Sequence, residues 1–147
     1  MRAVVTRVGS ASVEIEGKKT ADIGRGFIVL LGVHADDTQE QAIKIADKLC
    51  GLRVFEDSDG KMNLSPGDAG AAMLIVSQFT LYADCRSRRP GFTAAARPEK
   101  ARALYELVVS GCREKGFDVK TGQFGADMMV SSVNEGPVTI ILDTNEL

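Results

Sequence analysis

The sequence is poor in side chains that usually carry nucleophilic or metal chemistry. Its 147 residues include a single histidine, His34, and three widely spaced cysteines without a CxxC pair. Such cysteines support neither a disulfide framework nor a thiolate zinc site. A Gly-x-Ser-x-Gly elbow, a Walker loop and a His/Cys cluster are also missing. We therefore expect no metal and no cofactor.

Long apolar runs are also missing. No stretch of 18 apolar residues occurs, and the first residues lack the apolar segment of a signal peptide. This predicts a cytoplasmic protein without a membrane partner. The net charge of −2 argues against a general nucleic-acid coat protein but leaves room for a local basic patch. The length and the 44% hydrophobic content are typical of one domain, expected to span residues 1–147.

Strand patterns dominate the first third of the chain. Residues 12–16 alternate polar and apolar side chains and turn back toward residues 20–23, which predicts a hairpin. The apolar run 27–33 predicts a central strand. The remaining predicted strands cover residues 1–6, 52–55, 61–64, 73–76, 119–121, 128–133 and 138–143.

Two helices are indicated by capping signals and helical periodicity. Thr38 and Gln41 have the spacing of a capping box, and His34 just before them suits a solvated side chain better than a general base. The apolar face of this helix is predicted to be Ala42, Ile43, Ala46, Leu49 and Cys50. The second helix begins near Pro98 and is stopped by Gly116. Its apolar stripe is Ala101, Leu104, Tyr105, Val108 and Cys112.

These elements predict an α/β fold of about eight strands and two main helices. Two helices cannot cover both faces of so many strands, so part of the sheet must pack on another sheet or on another chain. A homodimer is one hypothesis that follows.

The most informative stretch is residues 73–82, where a run predicted to be a strand buried on both faces ends in Ser77, Gln78 and Thr80. Polar groups in such a place must be paired or must bind something. One interpretation is that they saturate a sheet edge or cap a turn. The other is that they belong to a binding or catalytic site.

Residues 134–139, Asn-Glu-Gly-Pro-Val-Thr, form the second informative stretch. Pro137 begins a predicted strand, where its missing N–H is tolerated, and Gly136 permits a turn or a close approach to a ligand. From the residues alone a turn is favoured over a cis bond, which occurs at only about 5% of X-Pro bonds.

Together, SQFTLY at residues 77–82 and NEGPVT at residues 134–139 resemble the two signature motifs of the D-aminoacyl-tRNA deacylases, also called the D-tyrosyl-tRNA(Tyr) deacylase family. The similarity extends along the chain, through residues 1–4, 24–33, 61–63, 89–90 and 121–128. The resemblance implies a three-layered α/β/β fold, a homodimer, and hydrolysis of the ester between a D-amino acid and the terminal adenosine of tRNA.

The resemblance also implies how substrates are chosen. Gly136 and Pro137, joined by a cis bond, would enter the partner subunit's pocket and face its copy of the first motif, Ser77 to Thr80. Main-chain oxygens of the Gly-Pro segment would leave no room for an L side chain. Glycine would pass this filter, so glycyl-tRNA, including glycine mischarged on tRNA(Ala), is an expected second substrate.

The chemistry implied needs no protein nucleophile. An aminoacyl ester is already activated and the 2′-hydroxyl of the ribose can assist, so orientation and an oxyanion site suffice. Backbone N–H groups around Phe79 and Thr80 are assigned to the oxyanion, and Ser77 with Gln78 to polar support. Thr80 has two candidate roles, as a positioning group or as a nucleophile.

Further residues are implied to bind the substrate. Phe124 is expected to stack on the terminal adenine with help from Met128, although a phenylalanine that plugs its loop is the alternative. The resemblance also places Asn134 among the substrate-binding residues, and Arg7 is expected to orient the Gly-Pro segment. A basic patch that includes Arg86, Arg88 and Arg89, with Arg97, Lys100 and Arg102, is expected to hold phosphates of the acceptor end.

Two other functions compete with this interpretation. A non-catalytic RNA-end or nucleic-acid binding module could keep the fold and the arginines, but it would have no need for a chirality filter. An esterase or amidase for small substrates would require a nucleophile–base pair, which the sequence lacks.

Overall fold

The computed structural model describes residues 1–147, which form eight strands and two main helices. The strands are β1 (Arg2–Ile15), β2 (Lys18–Ile23), β3 (Gly26–Gly32), β4 (Phe55–Glu56), β5 (Met62–Leu64), β6 (Ala72–Ser77), β7 (Val119–Thr121) and β8 (Met129–Asp143). The helices are α1 (Gln39–Gly51) and α2 (Pro98–Glu114), and a short 3-10 helix covers Phe79–Tyr82. None of the helices is both long and apolar enough to cross a bilayer.

Six strands form one mixed sheet with the order β2-β1-β3-β6-β7, and β8 pairs with β1. One edge of β1 is shared, because its first half pairs with β3 and its second half with β2. The other edge of β1 pairs with β8 along most of its length. β3, β6 and β7 are parallel, while β4 and β5 form a separate small hairpin.

The layers follow from the alternation of side chains in β3 and β6. Phe27 and Met73 belong to a core of 25 buried residues that the two helices cover. Their neighbours Ile28 and Leu74 point to the opposite face, where they pack with Val13 and other residues of β1 and β2 in a second core. The architecture is therefore helices, sheet and sheet, which confirms the α/β/β prediction and the strand buried on both faces.

The strand prediction was wrong in dividing β1 and β8. The predicted strands 1–6 and 12–16 are parts of one strand, Arg2–Ile15, and the predicted strands 128–133 and 138–143 are parts of another, Met129–Asp143. The polar residues between the two pieces of β1 stay in the sheet because β8 supplies their backbone partners, as in the pairing of Ser10 with Val133. In β8, Asn134 still pairs with Val8, and residues 135–138 bulge opposite Arg7. The strand predicted at residues 52–55 is also displaced, to Phe55–Glu56.

Both predicted helices are present. The capping box of Thr38 and Gln41 is formed in α1, and the predicted stripe of α2 is buried. The predicted apolar face of α1 was partly wrong, because Ile45 is buried and Ile43 is 61% exposed. The buried face of α1 is centred on residues 42, 45, 46 and 49, and this phase leaves Ile43 in solvent.

Strand β8 leaves an apolar surface uncovered. Large side chains on it are exposed, including Met129 at 73%, Val133 at 65% and Ile141 at 65%. No layer of this chain packs on them, although both faces of β3 and β6 are covered. One chain alone therefore leaves the apolar face of β8 exposed to solvent.

Candidate active site

A pocket of about 630 Å³ opens where β3 and β6 end. Because the two strands are parallel, their carboxyl ends meet at one edge of the sheet. The walls come from Ser77, Gln78 and Phe79, the loop before α2, the start of α2, and residues 124–128. Eleven of its 16 lining residues are hydrophobic, so a bound ligand would lie in a largely apolar site with a few polar groups, as in most ligand pockets.

The first motif forms the turn from β6 into the 3-10 helix. The Gln78 N–H donates to the Leu31 carbonyl at 2.8 Å, which fixes the end of β6 beside β3. Gly32 makes room for this turn, since a Cβ there would lie 3.0 Å from the Gln78 carbonyl oxygen and 3.0 Å from Leu81 Cβ. The strand therefore ends at Ser77, where the sequence pattern changes from apolar to polar.

The polar groups of this turn are paired within the motif. Gln78 Nε2 donates to Thr80 Oγ1 at 2.5 Å, and the first hydrogen bond of the 3-10 helix joins the Leu81 N–H to the Gln78 carbonyl. The N–H groups of Phe79 and Thr80 precede that bond, a position at which a helix offers its donors no internal acceptor. The Phe79 ring is 53% exposed and lies 5.1 Å from the Phe92 ring.

The pocket contains little that could act as a general base. Its only ionisable lining residue is the exposed Asp127. His34 lies elsewhere, with its ring 5.1 Å from Tyr82 and its Nδ1 accepting from the Asp36 N–H at 3.2 Å. Burial raises the pKa of the Tyr82 hydroxyl, so that group stays protonated. No group of three or more His, Cys, Asp or Glu side chains is arranged to hold a metal.

Phe124 forms one wall of the pocket and also packs against the main core. Its ring lies 6.1 Å from that of Tyr105, and the Arg102 guanidinium carbon lies 5.4 Å from its centre. Tyr105 is itself fixed, because its hydroxyl donates to the Ile75 carbonyl at 2.7 Å. Burial raises the pKa of Tyr105 to about 12. Met128 lines the pocket close to Phe124.

Within the second motif, residues 135–138 bulge out of the pairing between β8 and β1, and this bulge is called the excursion. Thr6 pairs with Thr139 and Val8 with Asn134, so residues 135–138 lie opposite Arg7 alone. Gly136 and Pro137 are exposed, and the bond between them is cis. Gly136 has a φ of +131°, and a Cβ there would meet the Val138 nitrogen at 2.8 Å. This backbone requires glycine.

Arg7 supports the excursion from below. It is 4% exposed, and its Nη1 donates to the Val54 carbonyl at 2.7 Å. Its Nε donates to the Glu135 carbonyl at 3.2 Å, directly before Gly136. Asn134 is exposed, and its Oδ1 accepts from the Ser132 hydroxyl at 2.9 Å.

The predicted site residues therefore fall into two separate groups within one chain. The pocket is lined by Ser77, Gln78, Phe79, Phe124 and Met128, and Thr80 bonds to Gln78 beside it. None of Arg7, Asn134, Gly136 and Pro137 lines that pocket.

Three members of the predicted phosphate patch, Arg86, Arg88 and Arg89, lie in the exposed loop between the 3-10 helix and α2. Backbone hydrogen bonds between Asp84 and Gly91 close this loop. Arg86 is paired with Asp84, and its hydrogen bonds lower the pKa of that carboxyl. Arg88 and Arg89 are exposed and form no ion pair within the chain.

Sequence reasoning missed the apolar residues that the same loop gives to the pocket. Phe92, Ala95 and Ala96 line it, and the loop before α2 is fixed by the Ala96 N–H, which donates to the Val33 carbonyl at 2.9 Å. The available signal was a phenylalanine in a segment otherwise rich in Arg, Pro and Gly.

Comparisons with known proteins identify the family of this chain. A family model described as D-Tyr-tRNA(Tyr) deacylase matches residues 4–143. D-aminoacyl-tRNA deacylases from Thermotoga petrophila and Anaeromyxobacter dehalogenans are each 56% identical over 148 residues, covering 100% of this chain and 99% of the relative.

Two solved structures share the fold. One, a c-Myc DNA Unwinding Element Binding Protein, is 40% identical with a TM-score of 0.93, over 98% of this chain and 99% of that chain. The other, a probable eukaryotic D-amino acid tRNA deacylase, has a TM-score of 0.81 at 19% identity, over 96% and 97% of the two chains, and supports the fold alone. The chain therefore belongs to the D-Tyr-tRNA(Tyr) deacylase family.

Proposed function

We propose that this protein is a cytoplasmic enzyme that hydrolyses the ester of D-aminoacyl-tRNA, releasing free tRNA and a D-amino acid. It acts as a homodimer of single-domain subunits, each spanning residues 1–147. The observation that carries the proposal is the pocket at the ends of β3 and β6, where the first motif presents its turn. Membership of the deacylase family gives the reaction.

The turn supplies an oxyanion site. The N–H groups of Phe79 and Thr80 precede the first hydrogen bond of the 3-10 helix and are free to donate to the ester oxygen as it becomes negative. Ser77 and Gln78 give polar support, and the 2′-hydroxyl of the terminal ribose assists the attack. Because the ester is already activated, positioning and charge stabilisation are sufficient.

Selectivity comes from the partner subunit. Gly136 and Pro137 are exposed and do not line the pocket of their own chain, yet Arg7 anchors the residue before them. The uncovered apolar face of β8 supports a second copy as the missing layer. In that dimer the main-chain oxygens of the Gly-Pro segment, with Asn134 beside it, close the partner's pocket against L side chains. Glycyl-tRNA, including glycine mischarged on tRNA(Ala), passes the filter.

The acceptor end of tRNA is held by stacking and by phosphate contacts. Phe124 and Met128 form the wall on which the terminal adenine stacks. Arg88 and Arg89 are exposed without ion pairs and are the stronger phosphate ligands. Arg86 contributes less, because its guanidinium is already paired with Asp84.

Single-turnover hydrolysis tests the reaction and its stereochemistry together. We expect D-tyrosyl-tRNA to be hydrolysed at least about 10²-fold faster than L-tyrosyl-tRNA, since an L side chain clashes with the filter. Glycyl-tRNA is expected to be hydrolysed as well. Equal rates for the D and L esters would contradict the filter, whereas spontaneous rates for all three would contradict the deacylase.

Replacing Thr80 with alanine separates its two candidate roles. As a positioning group that bonds only to Gln78, it is expected to be dispensable to within about tenfold in kcat. If Thr80 were the nucleophile, its replacement would lower kcat about 10⁴-fold or more. The single-turnover assay measures this, with Thr93→Ala, an exposed threonine in the neighbouring loop, as the control.

A non-catalytic nucleic-acid binding module is the second candidate. It is favoured by the name of one structural relative, a DNA unwinding element binding protein, and by the unpaired Arg88 and Arg89. Tight binding of aminoacyl-tRNA without hydrolysis of any of the three esters would support this function in place of the first.

A further inference from the structure

A second cleft adjoins the pocket across a single side chain. It has a volume of about 330 Å³ and lies along the outer side of α2, beside β7 and the glycine-rich residues that follow it. Phe124 is the one residue that lines both the cleft and the pocket. A ligand that stacks on Phe124 in the pocket can therefore continue past this ring into the cleft.

The cleft is polar where the pocket is apolar. Six of its nine lining residues are polar or glycine, and two are the guanidinium side chains of Arg102 and Arg113. Ser110 and Thr121 bring hydroxyl groups, and Glu106 brings the single carboxylate. This combination suits a ligand that carries both negative charge and hydrogen-bonding groups.

Arg102 lies at the boundary between the two sites. Its guanidinium carbon is 5.4 Å from the centre of the Phe124 ring, and its side chain is 56% exposed. Its only ion pair is a long one, 3.9 Å to Glu106. The cation is thus held beside the aromatic ring while most of its donors stay free.

Arg113 is also exposed, lies farther along α2 than Arg102, and already uses part of its guanidinium in hydrogen bonds within the chain. Its Nε and Nη2 donate to the Val119 carbonyl at 3.3 and 2.8 Å, which ties α2 to β7 and leaves Nη1 without a partner in the chain. Ser110 donates to the Leu107 carbonyl at 3.1 Å and keeps its acceptor capacity. These contacts fix both side chains before any ligand arrives.

We propose that this cleft binds the nucleotide that precedes the terminal adenosine of the tRNA, with Arg102 at the phosphodiester that joins the two. An adenine stacked on the pocket side of Phe124 would direct its 5′-phosphate past the rim of that ring, toward Arg102, whose guanidinium lies over the ring on the cleft side. The preceding nucleotide then enters the cleft toward Arg113 and the hydroxyl groups. The inference rests on the proposed deacylase function and adds a second nucleotide subsite to it.

Two minimal substrates test the subsite. One is the D-tyrosyl ester of adenosine, and the other is the D-tyrosyl ester of the dinucleotide cytidylyl-adenosine. A phosphate contact together with the second nucleotide is expected to raise kcat/KM for the dinucleotide ester about tenfold or more. In Arg102→Gln this ratio is expected to fall toward one, and because it is a ratio, any effect of Arg102 on the Phe124 ring cancels.

A matched control uses Lys115→Gln, which removes one positive charge just beyond the end of α2, outside the cleft. It is expected to keep the wild-type ratio. Equal kcat/KM for the two esters in the wild type, or a ratio unchanged in Arg102→Gln, would overturn the subsite.

D-tyrosyl-tRNA is assayed alongside the two minimal esters. If it is hydrolysed while the dinucleotide ester shows no advantage, the subsite fails and the deacylase stands. If it is not hydrolysed, the proposed function itself fails and the subsite fails with it.

Discussion

Replacing Gly136 with alanine is expected to lower deacylation of D-aminoacyl-tRNA by about 10²-fold or more while the subunit stays folded. The new Cβ would lie 2.8 Å from the Val138 nitrogen and 2.9 Å from its Cγ2, in a backbone conformation with a φ of +131°. The excursion must therefore move, and a displacement of about 1 Å in a positioning group costs about 10²-fold. Gly136 is exposed and belongs to neither hydrophobic core, and Val138, which must move, is only partly buried against the main one, so the subunit is expected to stay folded.

Gly24→Ala is the matched control for this loss. Gly24 is also exposed, lies in the turn between β2 and β3, and has nothing within 4 Å of the added Cβ. Its activity and its urea midpoint are expected to match the wild type. If Gly136→Ala kept wild-type activity, the excursion would not be part of the active site.

Mixing subunits tests whether the excursion acts in the partner's pocket. The second variant is Ala126→Trp, which places an indole in the pocket, and each variant alone must be inactive. Random exchange of subunits makes half of the dimers heterodimers, and each heterodimer has one intact site out of two. Mixing is therefore expected to restore about a quarter of wild-type activity. If the Gly-Pro segment served its own chain, mixing would restore none.

Arg7→Met is expected to destabilise the subunit by about 2–4 kcal/mol and to reduce deacylation as well. The guanidinium is 4% exposed and donates to two backbone carbonyls, those of Val54 and Glu135. A methionine fills similar space but leaves these acceptors without their charged donor, which costs about 1–3 kcal/mol each. Activity falls because the Glu135 carbonyl, directly before Gly136, loses its anchor.

Urea denaturation measures the stability change, and Arg53→Met provides the control. Arg53 also donates to a backbone carbonyl, that of Asn63 at 2.7 Å, but it is exposed. Water can replace that hydrogen bond, so a change below about 1 kcal/mol is expected. Equal losses in the two variants would mean that the burial of Arg7 does not matter.

The pocket offers little that could act as a general base. The pocket has one ionisable lining residue, the exposed Asp127, and His34 packs on Tyr82 outside it. In the mechanism that we propose, rate enhancement comes from positioning, so the residues that set the geometry are expected to be the most sensitive to substitution. Gly136 and Arg7 hold the excursion, and Gly32 allows the turn of the first motif.

Local signals predicted much of the fold. Thr38 and Gln41 fixed the start of α1 because a capping box uses only residues three apart, and the apolar stripe of α2 fixed its buried face. The run before Ser77 was predicted as a doubly buried strand because it lacks any polar alternation. The phase of α1 was misjudged at Ile43, because Ile43 and Ile45 lie close together among apolar residues and the pattern alone did not decide which of them faces the core.

The sequence by itself determined the α/β class, the two motifs and the residue types able to act, since these depend on neighbours along the chain. Only the tertiary structure decided that β1 and β8 are continuous, because the two strands pair with each other across the predicted breaks, as at Val8 and Asn134, although they lie far apart in sequence. It also decided that Arg7 is buried beneath residue 135 and that Phe124 separates two clefts. Contacts between residues more than 100 positions apart leave no periodic trace in the sequence, so packing alone creates them.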